Sequence, residues 1–430
     1  MTGLLFCSLL LFFLLGVPVA FAMGLSAIGV MVQGGVSLQV AVQRIFSTMD
    51  SFPLMAIPFF ILAGNLMEHS GISHRLIQFA NALVGRITGG LGIVTVVTAM
   101  FFAAISGSSA ATIAAIGSIL IPAMVRKGFP TNFSTAVQAA SGELGVIIPP
   151  SIPMIIFALT AGVSVSIGDL FIAGIIPGIL IAASLMLTIY VLSKKNGYGL
   201  EPAGTEEKFE FAALWKSALN AFFPLLMPVI ILGGIYGGIF TPTEAAAVAV
   251  GYSFVLGKFV YKTLNRKNLM EALRNSVIAT AIIMFIIGNA GLFGWVLTAE
   301  RVPDKVAEFF ISISDSPIVF LLLVNLLLLF VGMFLETGAS IVIIAPILTP
   351  VAAEFGIDPI HFGIIMIVNL AVGMLTPPVG VNLFVACQIA GIRIEQIVKA
   401  MLPFYVVLLV DILLISYLPN LSLWLPGLYK

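Results

Sequence analysis

Runs of about twenty nearly uncharged residues follow one another along this chain, and no other feature limits its possible folds so severely. A helix rising 1.5 Å per residue needs about 20 apolar residues to cross roughly 30 Å of hydrocarbon. Eight stretches meet that length: 2 to 22, 24 to 46, 52 to 70, 168 to 192, 215 to 236, 242 to 263, 275 to 297 and 395 to 420. With 60% of 430 residues hydrophobic, 9% charged and a mean hydropathy of +1.18, the apolar surface exceeds what a water-soluble domain buries. The lipid bilayer is the solvent. Lys+Arg and Asp+Glu balance at 19 each, which supplies no basic tract for nucleic acid. Two cysteines far apart and three histidines without ligand spacing point to neither a disulfide framework nor a zinc-type centre. The first run ends in "VAFA" like a cleaved leader. No Lys or Arg precedes it and further spans follow, so it reads as a retained helix.

Two further apolar stretches, 131 to 162 and 360 to 390, contain "GVIIPPS" and "GMLTPPVG". Paired prolines remove backbone donors and break a helix at mid-depth. Stretches 89 to 125 and 316 to 353 have two arms around a polar tip, Ser106 to Ser109 in the first and Glu336 to Ser340 in the second. Arm length alone fits a re-entrant hairpin and a pair of full spans equally well. An internal repeat favours hairpins: a shift of 228 residues places Pro122 on Pro350, Gly128 on Gly356, Gly145 on Gly373, and Pro149 and Pro150 on Pro377 and Pro378. The same shift brings Ser109 onto Thr337 and Thr112 onto Ser340. Five spans separate the two tips, and an odd number inverts the second repeat.

The expected fold is therefore an all-α polytopic membrane protein of inverted repeats. It has about ten spanning helices, two of them broken at Pro-Pro, and two re-entrant hairpins. The first repeat covers 1–192, a cytoplasmic linker 193–214, and the second repeat 215–430. With the linker cytoplasmic, fifteen of nineteen Lys and Arg fall on that side, as the positive-inside rule requires. Both termini are then periplasmic. Residues 72 to 87 and 302 to 313 are amphipathic and flank the hairpins as interfacial arms.

Hydroxyls and freed carbonyls at membrane depth are tolerated only where protein or a water-filled cavity satisfies them. A tip facing a broken helix, twice over, offers neutral oxygens suited to dehydrated Na⁺, with helix N-termini aimed at an anion. Candidate sodium ligands are Ser106, Ser108, Ser109, Gly145, Ile148 and Pro149 in the first half. Thr337, Gly338, Ser340, Gly373, Thr376 and Pro377 are the candidates in the second. Candidate substrate contacts are Ser108, Glu143, Pro150, Thr337, Asn369, Pro378 and Asn382. An isolated "SGSSAA" is ordinary helix-packing chemistry, and its recurrence beside a broken helix is what turns the reading toward ligands. Glu143 fits a substrate contact, a proton-linked group, or a carboxylate facing a polar interior. Glu244 in "FTPTEAAA" caps the helix that follows, and Glu336 belongs to its hairpin tip.

The segments "FFAAISGSSAATIAAIGSILIPAM", "SGELGVIIPPSIPMI", "GGIYGGIFTPTEAAAVAVGY" and "APILTPVAAEFGIDPIHFGIIMIVNLAVGMLTPPVGVNLFVA" together resemble the large membrane subunit of tripartite ATP-independent periplasmic (TRAP) transporters, over nearly the whole chain. The resemblance implies a Na⁺-coupled importer of organic acids in the bacterial inner membrane. It also implies an elevator movement, a small membrane subunit and a periplasmic substrate-binding protein as partners, and no cofactor beyond the coupling ion. Dicarboxylate-type members carry a small residue where this chain has Glu143 and an acidic one where it has Ala371. The chain is more similar to the sialic acid branch. The alternative is a Na⁺-coupled symporter of a dicarboxylate or other carboxylate that needs no periplasmic partner.

Two other classes fit less well. An ion channel needs a continuous polar path, whereas the polar groups here gather in two symmetric clusters. An intramembrane hydrolase needs a nucleophile beside a base, and His69, His74 and His361 all lie away from the tips. The chain is therefore not expected to be an enzyme.

Overall fold

The computed structural model describes residues 1–199 and 211–428, and all regular structure among them is helical. The two spans expected over 2 to 22 and 24 to 46 are instead three shorter helices, α1 (Thr2–Leu14), α2 (Val19–Gln33) and α3 (Leu38–Met49). Gly16, at φ +73°, and Pro18 stop the first. Gly35, also at φ +73°, turns the chain after the second, and Ser37 caps the third by accepting from the Gln39 N–H. Gln39, Gln43 and Arg44 make α3 amphipathic, so it is suited to the interface rather than the bilayer centre.

The rest of the first half follows the expected order. A short 3₁₀ turn leads into α4 (Ala56–His69), and the arm α5 (Ile72–Val84) comes next. The hairpin is α6 (Gly90–Ser106) and α7 (Ser109–Arg126). The broken helix is α8 (Thr131–Gly142), α9 (Leu144–Ile147) and α10 (Ile152–Thr160), bent by 45° at the prolines. α11 (Ile167–Asn196) closes this half. Of the expected linker, 200–210 lies outside the described residues, and its two ends are helical, since α11 runs on to Asn196 and the next helix begins at Phe211.

In the second half, α12 (Phe211–Tyr236) precedes α13 (Pro242–Val255), whose start is closed by a capping box between Thr241 and Glu244. α14 (Arg266–Ala299) is longer than the apolar window suggested, because Asn265 caps it a full two turns before the hydrocarbon. The arm α15 (Val302–Ile313) meets α16 (Pro317–Gly332) at 116°. α17 (Thr337–Glu354) is the hairpin's second limb. α18 (Pro359–Gly373) and α19 (Val381–Ala390) form the second broken helix, followed by α20 (Ile394–Tyr417) and α21 (Asn420–Gly427). Among the described residues eight helices are long and apolar enough to cross a membrane, or up to ten if each bent pair is one span.

The 228-residue shift lays α7 on α17 end to end and α5, α6, α8 and α11 on α15, α16, α18 and α20. Packing follows the same symmetry. α4 packs on α13 and its counterpart α14 packs on α2, while α4 and α14 meet each other. The second halves of the broken helices cross over: α10 packs on α17, and α19 on α7. Ser109 and Thr337 at the two tips are consequently buried, 4% and 0% exposed, while Glu336 at the edge of the second tip is exposed. α16 and α18 touch backbone to backbone. A Cβ on Gly373 would lie 2.6 Å from the Gly332 Cα, so neither position has room for a side chain.

Candidate functional site

At the first tip, Gly107 ends α6 in the left-handed region at φ +62°. Ser108 then caps α7 by accepting from the Ala111 N–H. Ser106 Oγ lies 3.0 Å from Thr112 Oγ1, which donates to the Ser108 carbonyl at 2.8 Å. The broken helix presses on this tip. A Cβ on Gly145 would meet the Ser108 carbonyl oxygen at 2.5 Å and Thr112 Oγ1 at 2.7 Å. Past Gly145 the chain leaves the helix at Ile148 (φ −79°, ψ 129°) and passes through Pro149 and Pro150. Ser151 Oγ donates back to the Val146 carbonyl at 2.6 Å.

The second tip is built differently. Glu336 stands where the repeat has Ser108, and its carboxylate accepts from the Gly338 and Ala339 N–H groups at 2.8 and 3.2 Å. The positive end of α17 is thus filled by the chain's own anion, contrary to the expectation that both helix N-termini face a guest. Thr337 Oγ1 donates to Met374 Sδ at 3.5 Å. Ser340 Oγ is buried without a hydrogen-bond partner. In the second break Thr376 donates to the Val372 carbonyl, and the Tyr405 hydroxyl donates to the Leu375 carbonyl at 2.6 Å.

Asn382, at the start of α19, joins the halves. Its Nδ2 donates to Ser109 Oγ at 2.9 Å and to Glu143 Oε1 at 2.6 Å. Between the tips lies a cavity whose polar wall comes from Ser108, Ser109, Glu336, Gly338 and Asn382. Its apolar wall includes Val146, Ile152, Pro153, Ile156, Val342, Met374 and Val381, with Ile283, Ile286 and Ile287 of α14. No Lys, Arg or His is among the lining residues.

Of the residues singled out from sequence, Ser108, Ser109, Gly338 and Asn382 line this cavity. Ser106, Glu143 and Gly145 stand one layer behind it, through the contacts above. Thr337 and Ser340 are buried at the second tip. Ile148, Pro149, Pro150, Gly373, Thr376, Pro377 and Pro378 form the two breaks and do not reach the cavity wall. Asn369 lies elsewhere: its Nδ2 donates to Asn325 Oδ1 at 2.9 Å, and Asn325 in turn bonds Ser416, tying α18 to α16 and α20. The α14 isoleucines were invisible in advance, because an apolar residue in an apolar span carries no signal. Asp411, a buried carboxylate bonded to Ser184, did carry one as a lone acid inside an apolar run.

Residues 6–421 match the family model described as the tripartite ATP-independent periplasmic transporter, DctM component. The C4-dicarboxylate TRAP transporter large permease protein DctM of Pseudomonas aeruginosa is 46% identical over 89% of this chain and 88% of that protein. The isethionate TRAP transporter permease protein DctMQ of Oleidesulfovibrio alaskensis is 44% identical over 97% of this chain, which spans 65% of that longer relative. The sialic acid TRAP transporter large permease protein SiaM of Vibrio cholerae is 40% identical over 96% of each. Among solved structures, the YdaH transporter of Alcanivorax borkumensis superimposes with a TM-score of 0.67 at 17% identity, covering 90% of each chain, which shows a shared fold. These relatives are transporter permeases and not enzymes, so the hydrolase alternative falls away. This multi-span membrane chain belongs to the TRAP transporter family, as its DctM component.

Proposed function

We propose that this chain carries an organic acid anion across the bacterial inner membrane together with Na⁺. The observation that carries the reading is the convergence of two hairpin tips on one cavity whose wall also takes residues on either side of each helix break, Val146 and Ile152 in the first and Met374 and Val381 in the second, bridged between repeats by Asn382. The donor set suits Na⁺, a hard cation that takes oxygen ligands: serine hydroxyls, carbonyls released by the breaks, and the buried Ser340 Oγ, which has no partner. Ser106, Ser108, Ser109 and Gly145 would hold one ion, and Thr337, Gly338, Ser340 and Gly373 a second. Bound Na⁺ supplies the positive charge that draws the anion in.

An elevator movement fits the packing. The hairpins, broken helices, α11 and α20 form one interlocked body, and α2, α4, α13 and α14 form another against which it slides. A periplasmic binding protein delivers the substrate and a small membrane subunit completes the scaffold, in keeping with the tripartite class of its relatives. Sialic acid is the favoured substrate because the chain has Glu143 and Ala371 where the dicarboxylate pattern differs. Identities of 40% to 46% to relatives named for three different substrates do not separate them.

The test is uptake of labelled N-acetylneuraminate into proteoliposomes under an inward Na⁺ gradient, with and without a binding protein and small subunit. Uptake that needs Na⁺ and the binding protein is expected. Equal uptake in K⁺ contradicts ion coupling, and full uptake without the binding protein favours the partner-independent symporter.

A further inference from the structure

Asn382 Nδ2 donates to Glu143 Oε1 at 2.6 Å, so the amide turns its NH₂ group toward the glutamate, the orientation that a carboxylate, which only accepts, holds in place. The second hydrogen of that group goes to Ser109 Oγ. Both donors are used, and the polar function Asn382 has left is its carbonyl Oδ1, an acceptor on a residue that lines the cavity. Glu143 is fully buried and stands behind this wall. It touches no guest, but it decides which face of the amide a guest meets. The repeat has no second copy of the pair: Ala371 and Met154 occupy the matching positions, so recognition is one-sided.

Charge narrows the guest further. Glu336 lines the same cavity and already occupies the N–H groups that begin α17, which closes that helix end to a second anionic group. With no cationic side chain on the wall, a dianion would meet one carboxylate directly and an acceptor at Asn382. Positive charge at the site then comes from bound Na⁺ alone, and a second anionic group would face the Glu336 carboxylate and the Asn382 acceptor where it needs a donor.

We infer that Glu143 is a positioning residue that locks Asn382 as an acceptor. The site thereby selects an organic acid with one anionic group and a hydroxyl or amide donor over a donor-free dicarboxylate. This rests on the cavity being the transport site, and it supplies a reason for substrate choice that sequence identity does not.

Competition for uptake by the full complex in proteoliposomes, with N-acetylneuraminate, isethionate and succinate as probes, tests it. The two hydroxylated monoanions, or one of them, should compete well below the concentration at which succinate does. Glu143→Gln, which lets the amide turn over, should raise KM for the preferred acid by about tenfold or more. Its kcat and Na⁺ dependence should stay close to wild type, and Glu143→Asp should restore part of the affinity. Should the glutamine variant fail to fold, as read by its melting temperature, the wild-type competition decides alone. Succinate competing as well as the monoanions, or an unchanged KM in a folded Glu143→Gln protein, overturns the inference while leaving transport intact. Absence of uptake for every acid overturns the transport reading and the inference with it.

Discussion

Ser109 and Thr337 hold matching places in the repeat and keep different company. Ser109 accepts from Asn382, whereas Thr337 has only a sulfur for its hydroxyl. If both supply an oxygen to a buried cation, removing either should cost about 1 to 3 kcal/mol, or roughly five- to over a hundredfold in Na⁺ affinity. Ser109→Ala and Thr337→Ala should each shift the Na⁺ dependence of uptake, and of the melting temperature, to higher concentration without lowering expression. Ordinary Na⁺ dependence in both would mean that these hydroxyls only pack helices. The tip residues were legible because hydroxyls and glycine stand out in an apolar run. Asn369 stood out for the same reason, yet the fold spends its amide on Asn325. Polarity at membrane depth marks a residue that has a partner, and the sequence does not say whether that partner is a guest or another helix.

The broken helices are where elements acquire function. Gly145 lies on the first tip with no room for a methyl group, and the prolines just beyond it prevent the helix from continuing. Replacing Pro149 and Pro150 together by Ala should let the helix close through mid-depth and take up the carbonyls assigned to the ion. The variant should insert at normal levels and lose most transport, measured as uptake per unit of protein. Normal uptake would reduce the prolines to a packing role. These breaks could be read from sequence because proline removes a donor wherever it sits. The division of the first two expected spans into α1, α2 and α3 could not. Hydropathy continues smoothly across Gly16 and Pro18, and only the backbone torsion at Gly16 and Gly35 reveals the turns.

For the whole molecule, the repeat gave the pairing of elements but not their interleaving. Nothing in the register of 228 residues says that α10 belongs to the second hairpin and α19 to the first, since that follows from packing across the halves. Alternating access through such a structure requires the halves to be inverted, so that each can take the other's conformation when the site changes sides. The hairpin ends offer a direct reading. Arg86 and Arg126 flank the first hairpin, Asp315 and Glu354 flank the second, and all four are exposed. Asp358 is less suitable because its carboxylate caps α18. Single cysteines at positions 86, 126, 315 and 354, in a background lacking Cys7 and Cys387, can be labelled on whole cells with an impermeant thiol reagent. The account predicts that 315 and 354 react from outside, and that 86 and 126 react only after the membrane is opened. Reaction of all four from the same side would make the repeats parallel and contradict the account.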